Sequence, residues 1–395
     1  MSEVKIDLNN LDKSNWKTYR FDEIAKNISE RVDPNNTDLK VYIGLEHIDS
    51  ESLHIKRHGS PDDVNGTKLK FYKGDIIFGR RRAYQRKAGI ATWDGFCSAH
   101  ALVLRANPDV IAPELFPFFL HSDLFMNRAI DISVGSLSPT INWGTLKHQE
   151  FKIPPIEEQK GLAELLWSID THISTEKKLE EALECTRKSY IKASLLKYKS
   201  GIESELPTGY RVKRLDELAD ISGGSTPSRN NASFWDGNIP WLTPTDVTKH
   251  EGIHLSKTKE YITTEGLKDI SNRIYPPGSI LFCSRATIGF AIINDVEMAT
   301  NQGFSNFICN GEVSNYFLYF MLQHVTPELT RLAGGSTFLE ISKSAMRSFK
   351  VIVPNEHDLE IIERNLLNFD KTNREISNKI LDSNLLKSNL INKVF

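Results

Sequence analysis

Two stretches of this chain repeat apolar residues at helical spacing over an unusual length. From Glu157 to about Lys199 there is no proline, Gly161 is the only glycine, and Leu162, Leu165, Leu166, Ile169, Ile173, Leu179, Leu183 and Tyr190 recur. After Pro354 the chain runs to Phe395 with neither Pro nor Gly, and Leu359, Ile362, Leu366, Phe369, Ile376 and Ile380 hold a three–four alternation, with Asn373 at one seam position. Such spacing gathers apolar side chains into one stripe, so it predicts two long amphipathic helices with coiled-coil character. A helix of forty residues is about 60 Å long at its usual rise. One alone would expose its stripe, whereas two can bury each other, and an Asn in the seam fixes register at some cost in stability.

The residues before each helix are patterned differently. Short β-rich runs (Lys40–Leu45, Asp75–Gly79, Ala101–Arg105, Ser279–Cys283, Ala291–Asn294) alternate with helical patches at Glu114–Asp123 and Asn315–His324, broken by Gly and Pro. That mixture predicts a compact α/β (α+β) domain rich in loops.

The pattern also occurs twice. Residues 16–25 match 210–219, with Arg20/Arg214, Asp22/Asp216, Glu23/Glu217 and Ala25/Ala219 identical. Gly74–Phe78 answers Gly278–Phe282, Phe116–Leu120 answers Phe317–Met321, Gly135-Ser136 answers Gly335-Ser336, and Ile153-Pro154 answers Val353-Pro354. This period is too long for a solenoid. It predicts a duplicated domain plus helix, with regions 1–155, 156–200, 201–354 and 355–395, and a helix stop and turn at Ser200–Gly209. Pseudo-twofold symmetry would make the helices antiparallel and put one globular domain at each end, so a ligand should have two related halves.

Composition narrows the class. Apolar content of 39 % and charged content of 25 % fit a soluble globular chain, and a formal charge of −2 excludes a global field that attracts nucleic acid. Cys97, Cys185, Cys283 and Cys309 form no C-x-x-C pair, which suits reduced thiols and argues against zinc. The first residues lack an apolar signal region and no 18-residue apolar run occurs, so a cytoplasmic protein without a membrane span is expected. Catalytic signatures are missing too: no P-loop, no G-x-G-x-x-G, no H-E-x-x-H, and no Asn/Asp-Pro-Pro-aromatic loop of the kind amino-methyltransferases use. Pro61-Asp62 reads as a turn, and His47, His54 and His58 as a solvated cluster. The chain reads as a binding protein, not an enzyme, with no catalytic or metal residues.

The strongest binding signal is Arg80, Arg81, Arg82, Tyr84, Gln85, Arg86 and Lys87, five cations directly after an apolar strand, with Lys68, Lys70 and Lys73 just before it. Cations neutralise phosphates, Arg also suits guanine, and Gln suits adenine. Aligning the repeats sets Arg81 against Arg285, with Ser284 and Thr287 in place of the remaining charge. It sets Thr300-Asn301-Gln302-Gly303 against Ser98-Ala99-His100-Ala101, adding His100, Asn301 and Gln302. Ser225, Thr226, Ser228 and Arg229 in a Gly-Ser-Thr-Pro loop, and Thr243 and Thr245 after Trp241, complete the candidates, while Trp235 and Trp241 read as anchors. An apolar frame with divergent polar loops suits a reader whose two copies see different targets. A solvated surface is the simpler alternative for any one loop.

Taken in order, Trp16–Ala25, Leu206-Pro207 with Gly209-Tyr210 through Ala219, Ser222–Ser228, Ile239–Asp246, Pro277–Leu281, Asn301-Gln302, Ile153–Lys160 and Val353-Pro354 resemble the specificity subunits of type I restriction-modification systems. Asn355–Asp358 departs from the first helix opening, Pro155–Gln159. The resemblance implies two target-recognition domains separated by paired antiparallel helices. It implies double-stranded DNA as ligand, read as a bipartite asymmetric target whose spacer the helices set. It also implies two modification (methyltransferase) subunits and restriction/translocase subunits as partners, which would carry S-adenosylmethionine, ATP and Mg²⁺. Two other readings stay open: a partner of a methylation-only or combined restriction enzyme, and a duplicated scaffold binding proteins or glycans. DNA binding predicts a steep salt dependence and a scaffold a shallow one.

Overall fold

The residues identical between the repeats build the same clasp in each. In the computed structural model, Lys17–Arg20 pairs antiparallel with Glu150–Ile153, and Arg211–Arg214 with Lys350–Val353. Glu23 Oε2 accepts from Arg20 N at 2.7 Å, and Glu217 Oε2 from Arg214 N at 2.8 Å. Asn107 Nδ2 donates to Glu23 O at 2.8 Å, and Asn310 Nδ2 to Glu217 O at 2.9 Å. Each repeat is thereby closed on itself just before its long helix begins. The structure describes residues 11–199, 201–250, 252–334 and 339–395, so Ser200 and Gly335-Ser336 lie outside the described residues.

The chain forms two compact units. The first holds the described residues of Met1–Glu176 with Lys379–Phe395, the second those of Lys177–Asn378. Each contains one α/β region and a segment of both long helices. These helices are continuous over Ile156–Ser194 and Glu356–Val394. The first ends short of the predicted Lys199, and Leu195 just beyond it is buried in the core of the second unit.

In the first unit one sheet runs in the order Ala25–Ile28, Ala101–Ala106, Ile76–Gly79, Ala88–Ile90, all antiparallel. A second sheet orders Arg31–Val32, Lys68–Phe71, Gly95–Cys97 and Tyr42–Ile43, the last pair parallel. Phe21, Phe119, Phe125 and Phe151 form one aromatic cluster under the helices Phe116–His121 and Asp123–Asp131, with Phe21 and Phe125 centroids 5.2 Å apart. Each such ring contributes about 1.5–3 kcal/mol by leaving water. Leu162, Leu166, Ile391 and Val394 of the long helices belong to this same core.

The second unit repeats the plan: Ala219–Gly223, Phe304–Cys309, Ile280–Cys283, Ala291–Asn294 and His254–Leu255 in one sheet, and Glu260–Ile262, Trp235–Leu242 and Ala299–Thr300 in the other. The turns before the central strands use Gly74 (φ 95°) and Gly278 (φ 86°), a conformation that disfavours other residues. Here Glu180 meets Ser377 (2.5 Å) and Tyr190 meets Asn365 (2.9 Å), so the helix segments run antiparallel. The predicted seam residue Asn373 belongs to neither of these two pairs. Ile362 and Leu366 join the core of the unit. The four thiols are unpaired, and no helix among the described residues is long and apolar enough to cross a membrane.

Candidate nucleic-acid interface

Each central strand, Ile76–Gly79 or Ile280–Cys283, runs into a loop that the backbone holds from both sides. In the first unit Arg80 N donates to His100 O (3.2 Å), Ile141 N to Arg80 O (2.8 Å) and Arg82 N to Pro139 O (2.7 Å). In the second Ser284 N donates to Gly303 O (2.9 Å), Ile341 N to Ser284 O (2.9 Å) and Ala286 N to Leu339 O (3.0 Å). Arg82 and Ala286 both adopt φ near +60° (57° and 61°), a strained state that persists only where surrounding bonds enforce it.

These bonds correct one alignment. Ser98 N donates to Ile43 O and Asn301 N to Leu242 O, so Ser98 matches Asn301, and His100 matches Gly303, not Gln302. The loop after the strand is one residue shorter in the second unit, which shifts the count.

The residues of the first loop divide into three sets. Arg81, Arg82 and Tyr84 face outward, Tyr84 at 55 % exposure, with Arg82 Nε 3.4 Å from Ser138 Oγ. Arg80 and Gln85 are half-buried, and the Arg80 Nε is enclosed without a partner. Arg86 and Lys87 turn inward: Arg86 donates to Asp123 Oδ1 (2.6 Å) and His121 O (2.8 Å), and Lys87 to Leu45 O (2.6 Å). His100 is exposed beside the loop. Lys68 and Lys70 are occupied locally, by the Asn65 and Gly66 carbonyls and the Tyr72 ring.

The second unit gathers a mostly neutral surface. Gly224 lies so close to Thr300 and Asn301 that a Cβ would fall 2.1 Å from Asn301 O, and this approach seats Ser225 N on Thr300 O at 2.8 Å. The Thr226 hydroxyl bonds the Gln302 amide. Arg285 adjoins this surface with Glu340 at 3.8 Å, and Thr245 is exposed at its edge. Other candidates serve the frame. Thr243, which precedes the helix Pro244–Lys249, donates its hydroxyl to Asp246 Oδ2 (2.6 Å), Asn301 Oδ1 accepts from Gly303 N (2.8 Å), and Ser284 and the Thr287 hydroxyl are buried. Ser228 and Arg229 lie on a neighbouring patch, where Ser228 N meets Asp269 and Arg229 forms a two-bond pair with Glu260 over the Trp235 ring. Trp241 is buried and donates to Ser225 O (3.0 Å).

Sequence reasoning passed over three features. Lys343 reaches Phe304 O (2.6 Å) and Ser305 Oγ (2.9 Å) beneath the second loop, and burial pulls its pKa down. His54 is not merely solvated: its Nε2 lies 2.5 Å from Oδ2 of Asp170, whose other oxygen accepts from Lys387 at 3.0 Å. Burial alone would push the Asp170 carboxyl up, but the bonds from His54 and Lys387 outweigh it and hold it below the ordinary carboxylate value. The second unit has the counterpart: Asp370 accepts from Tyr316 (3.0 Å) and Arg374 (2.6 Å), with His254 Nε2 2.6 Å from the Tyr316 hydroxyl. Burial and the Asp370 charge push Tyr316 up to about 12. Among the described residues no group of His, Cys, Asp and Glu has the makings of a metal site.

The two units thus present loops clamped by the same backbone bonds on a duplicated frame. The type I restriction modification DNA specificity domain matches twice, at residues 13–185 and 207–383. The chain belongs to that family, and its place there is that of a specificity subunit, the non-catalytic DNA-recognition component. It is 35 % identical to the MjaIX specificity subunit of Methanocaldococcus jannaschii over 45 % of this chain and 42 % of that one. It is 22 % identical to the HindI specificity subunit of Haemophilus influenzae over 96 % and 99 %. A chain from a solved structure of a type I R-M system has a similar fold, with TM-score 0.61 and 20 % identity over 96 % of this chain and 97 % of that one.

Proposed function

We propose that the two loops read the two halves of one bipartite, asymmetric DNA target for a type I restriction-modification system. In this reading Arg81, Arg82 and Tyr84, with Arg80, Gln85 and His100 beside them, meet the first half-site. Thr226, Thr245, Arg285 and Gln302, supported by Ser225, Thr243, Ser284, Thr287 and Asn301, meet the second. Ser228 and Arg229 lie at its margin, and Arg86 and Lys87 hold the first loop. The chain docks two modification subunits along its long helices and works in the cytoplasm. S-adenosylmethionine, ATP and Mg²⁺ belong to the modification and restriction/translocase subunits. One observation carries the reading: the same backbone bonds hold both loops while their side chains differ, as two readers of unlike sequences require. A partner that only methylates, or that combines both activities, would use the same surfaces.

The test is the Arg81→Ala, Arg82→Ala variant in the assembled complex. Neutralising a phosphate releases counterions, so the slope of log affinity against log salt should shrink by about 0.9 for each phosphate these side chains neutralise. An unchanged slope would exclude this loop from the DNA.

A further inference from the structure

In the first unit the reading loop is wired to the long helix. Arg86, the last left-handed residue of the loop (φ 49°), donates to Asp123 Oδ1 at 2.6 Å. The other oxygen of Asp123 accepts from Asn392 Nδ2 at 2.7 Å, and Asn392 Oδ1 accepts from Asp123 N at 2.8 Å. Asn392 lies in the last turns of the Glu356–Val394 helix, between Ile391 and Val394, which are buried in the core of this unit. Three side chains therefore run from the loop to a fixed helix without a gap. Asn392 is held by both its oxygen and its nitrogen, which fixes the rotation of the carboxylate that Arg86 grips.

The second unit shows no such connection among its described residues. Cys283 N donates to Phe290 O as Gly79 N donates to Lys87 O, which sets Gly289 (φ 100°) at the Arg86 position. There Gln323, at the Asp123 position, donates straight to Gly289 O at 2.8 Å, and the link ends on the domain's own helix Asn315–Arg331.

We propose that Asp123 and Asn392 are positioning residues of the first reader, which hold Arg86 and hence the Arg81–Tyr84 face in its reading geometry without touching DNA. Arg86 is then a strut and not a base or phosphate contact. The inference rests on the assignment of this loop to the first half-site.

The experiment uses the complex with its modification subunits. Methylation mapping of the wild type first defines the two half-sites, and affinities are then measured for DNA altered in one half or the other. Asn392→Ala should lower discrimination at the first half-site by roughly three- to tenfold, the range expected for the net contribution of one ordinary hydrogen bond. Discrimination at the second half-site should stay within about twofold and the salt slope should not move. The exchange Asp123→Asn with Asn392→Asp keeps every donor facing an acceptor, so it should restore discrimination that each single change lowers. Equal losses at both half-sites, no loss at either, a reduced salt slope, or failure of the exchange to rescue would overturn the inference. A wild-type complex that selects no sequence would overturn the underlying assignment itself, and it would show before any variant is made.

Discussion

At the position after the central strand the first repeat places Arg81 and Arg82 and the second Arg285 and Ala286, yet the backbone bonds around them are nearly superimposable in length. The same holds at the domain–helix junction. His54 and His254 occupy matching places, each beside a buried carboxylate of a long helix, Asp170 (5 % exposed) or Asp370 (3 %). What differs is the counter-charge. Asp170 takes Lys387 from the opposite long helix, whereas Asp370 takes Arg374 from its own helix one turn on. Tyr316 stands between His254 and Asp370, where Phe116 in the first unit has no hydroxyl. The comparison teaches that the duplication preserves backbone geometry and burial, while the side chains that satisfy each buried group are replaceable.

That difference sets the order of mutational damage. Asp170→Ala strands Lys387, which is mostly buried, and His54, so it should cost the first unit about 3 kcal/mol. Asp370→Ala should cost the second unit less, about 2 kcal/mol, because Arg374 is half exposed and turns to water. Proteolysis resolved by unit across a denaturant series measures both. Equal losses would mean that the source of the counter-charge is immaterial.

Acid should separate the units next. His121 in the first unit is replaced by Met321 in the second. Burial pulls the His121 pKa down to about 4, against the pull of the Ala88 carbonyl and Asp170, with Lys387 and Arg86 adding to the fall. Between about pH 6.5 and 4 the unfolded chain then binds a proton at this ring that the folded chain does not, so stability falls as pH falls. The loss should be about 2 kcal/mol across that window, discounted because the residue as a whole is partly exposed. His121→Met should flatten the pH profile of the first unit, while the second keeps the acid dependence of its own half-buried His324, whose pKa burial also lowers. A profile that the substitution leaves unchanged would assign the acid loss to other groups.

Much of this architecture was legible in the chain itself. The Arg20–Ala25 and Arg214–Ala219 match, the Gly74 and Gly278 turns and the two long apolar stripes survive duplication because each is fixed by local bonds or periodic burial. Which cations of Arg80–Lys87 face outward was not legible. That choice depends on Asp123 and Leu45, which only the tertiary fold brings near. The Ser98–Asn301 equivalence slipped by one because no identical residue anchors the register after a loop that differs in length. The His–Asp pairs left a readable trace, since 254 − 54 and 370 − 170 both equal 200, the offset that relates Phe116 to Tyr316 and Asp123 to Gln323, and so the match of Phe116 with Phe317 read from the sequence is one residue out. A polar residue on a long helix reads as solvated until a partner is found for it, and His54 read as solvated for the same reason.

The smallest effect separates a frame residue from a reading residue within the second unit. Thr243 and Gly44 are equivalent, since they follow the paired Leu242 and Ile43, and each starts a short helical turn. Thr243 N donates to Asp246 Oδ2 at 2.9 Å, and Gly44 N to His47 Nδ1 at 3.0 Å. Only the second unit adds a hydroxyl, from Thr243 Oγ1 to the same Asp246 oxygen. A net hydrogen bond of this kind is worth about 1 kcal/mol, so Thr243→Ala should lower the stability of the second unit by that amount, and Thr243→Gly by at least as much, since glycine also lacks the hydroxyl and frees the unfolded chain. Both variants should leave discrimination at the second half-site intact, because the hydroxyl is already committed to Asp246. If discrimination falls while stability holds, Thr243 reads DNA, and the match between Thr243 and Gly44 is then a difference in recognition instead of a difference in capping.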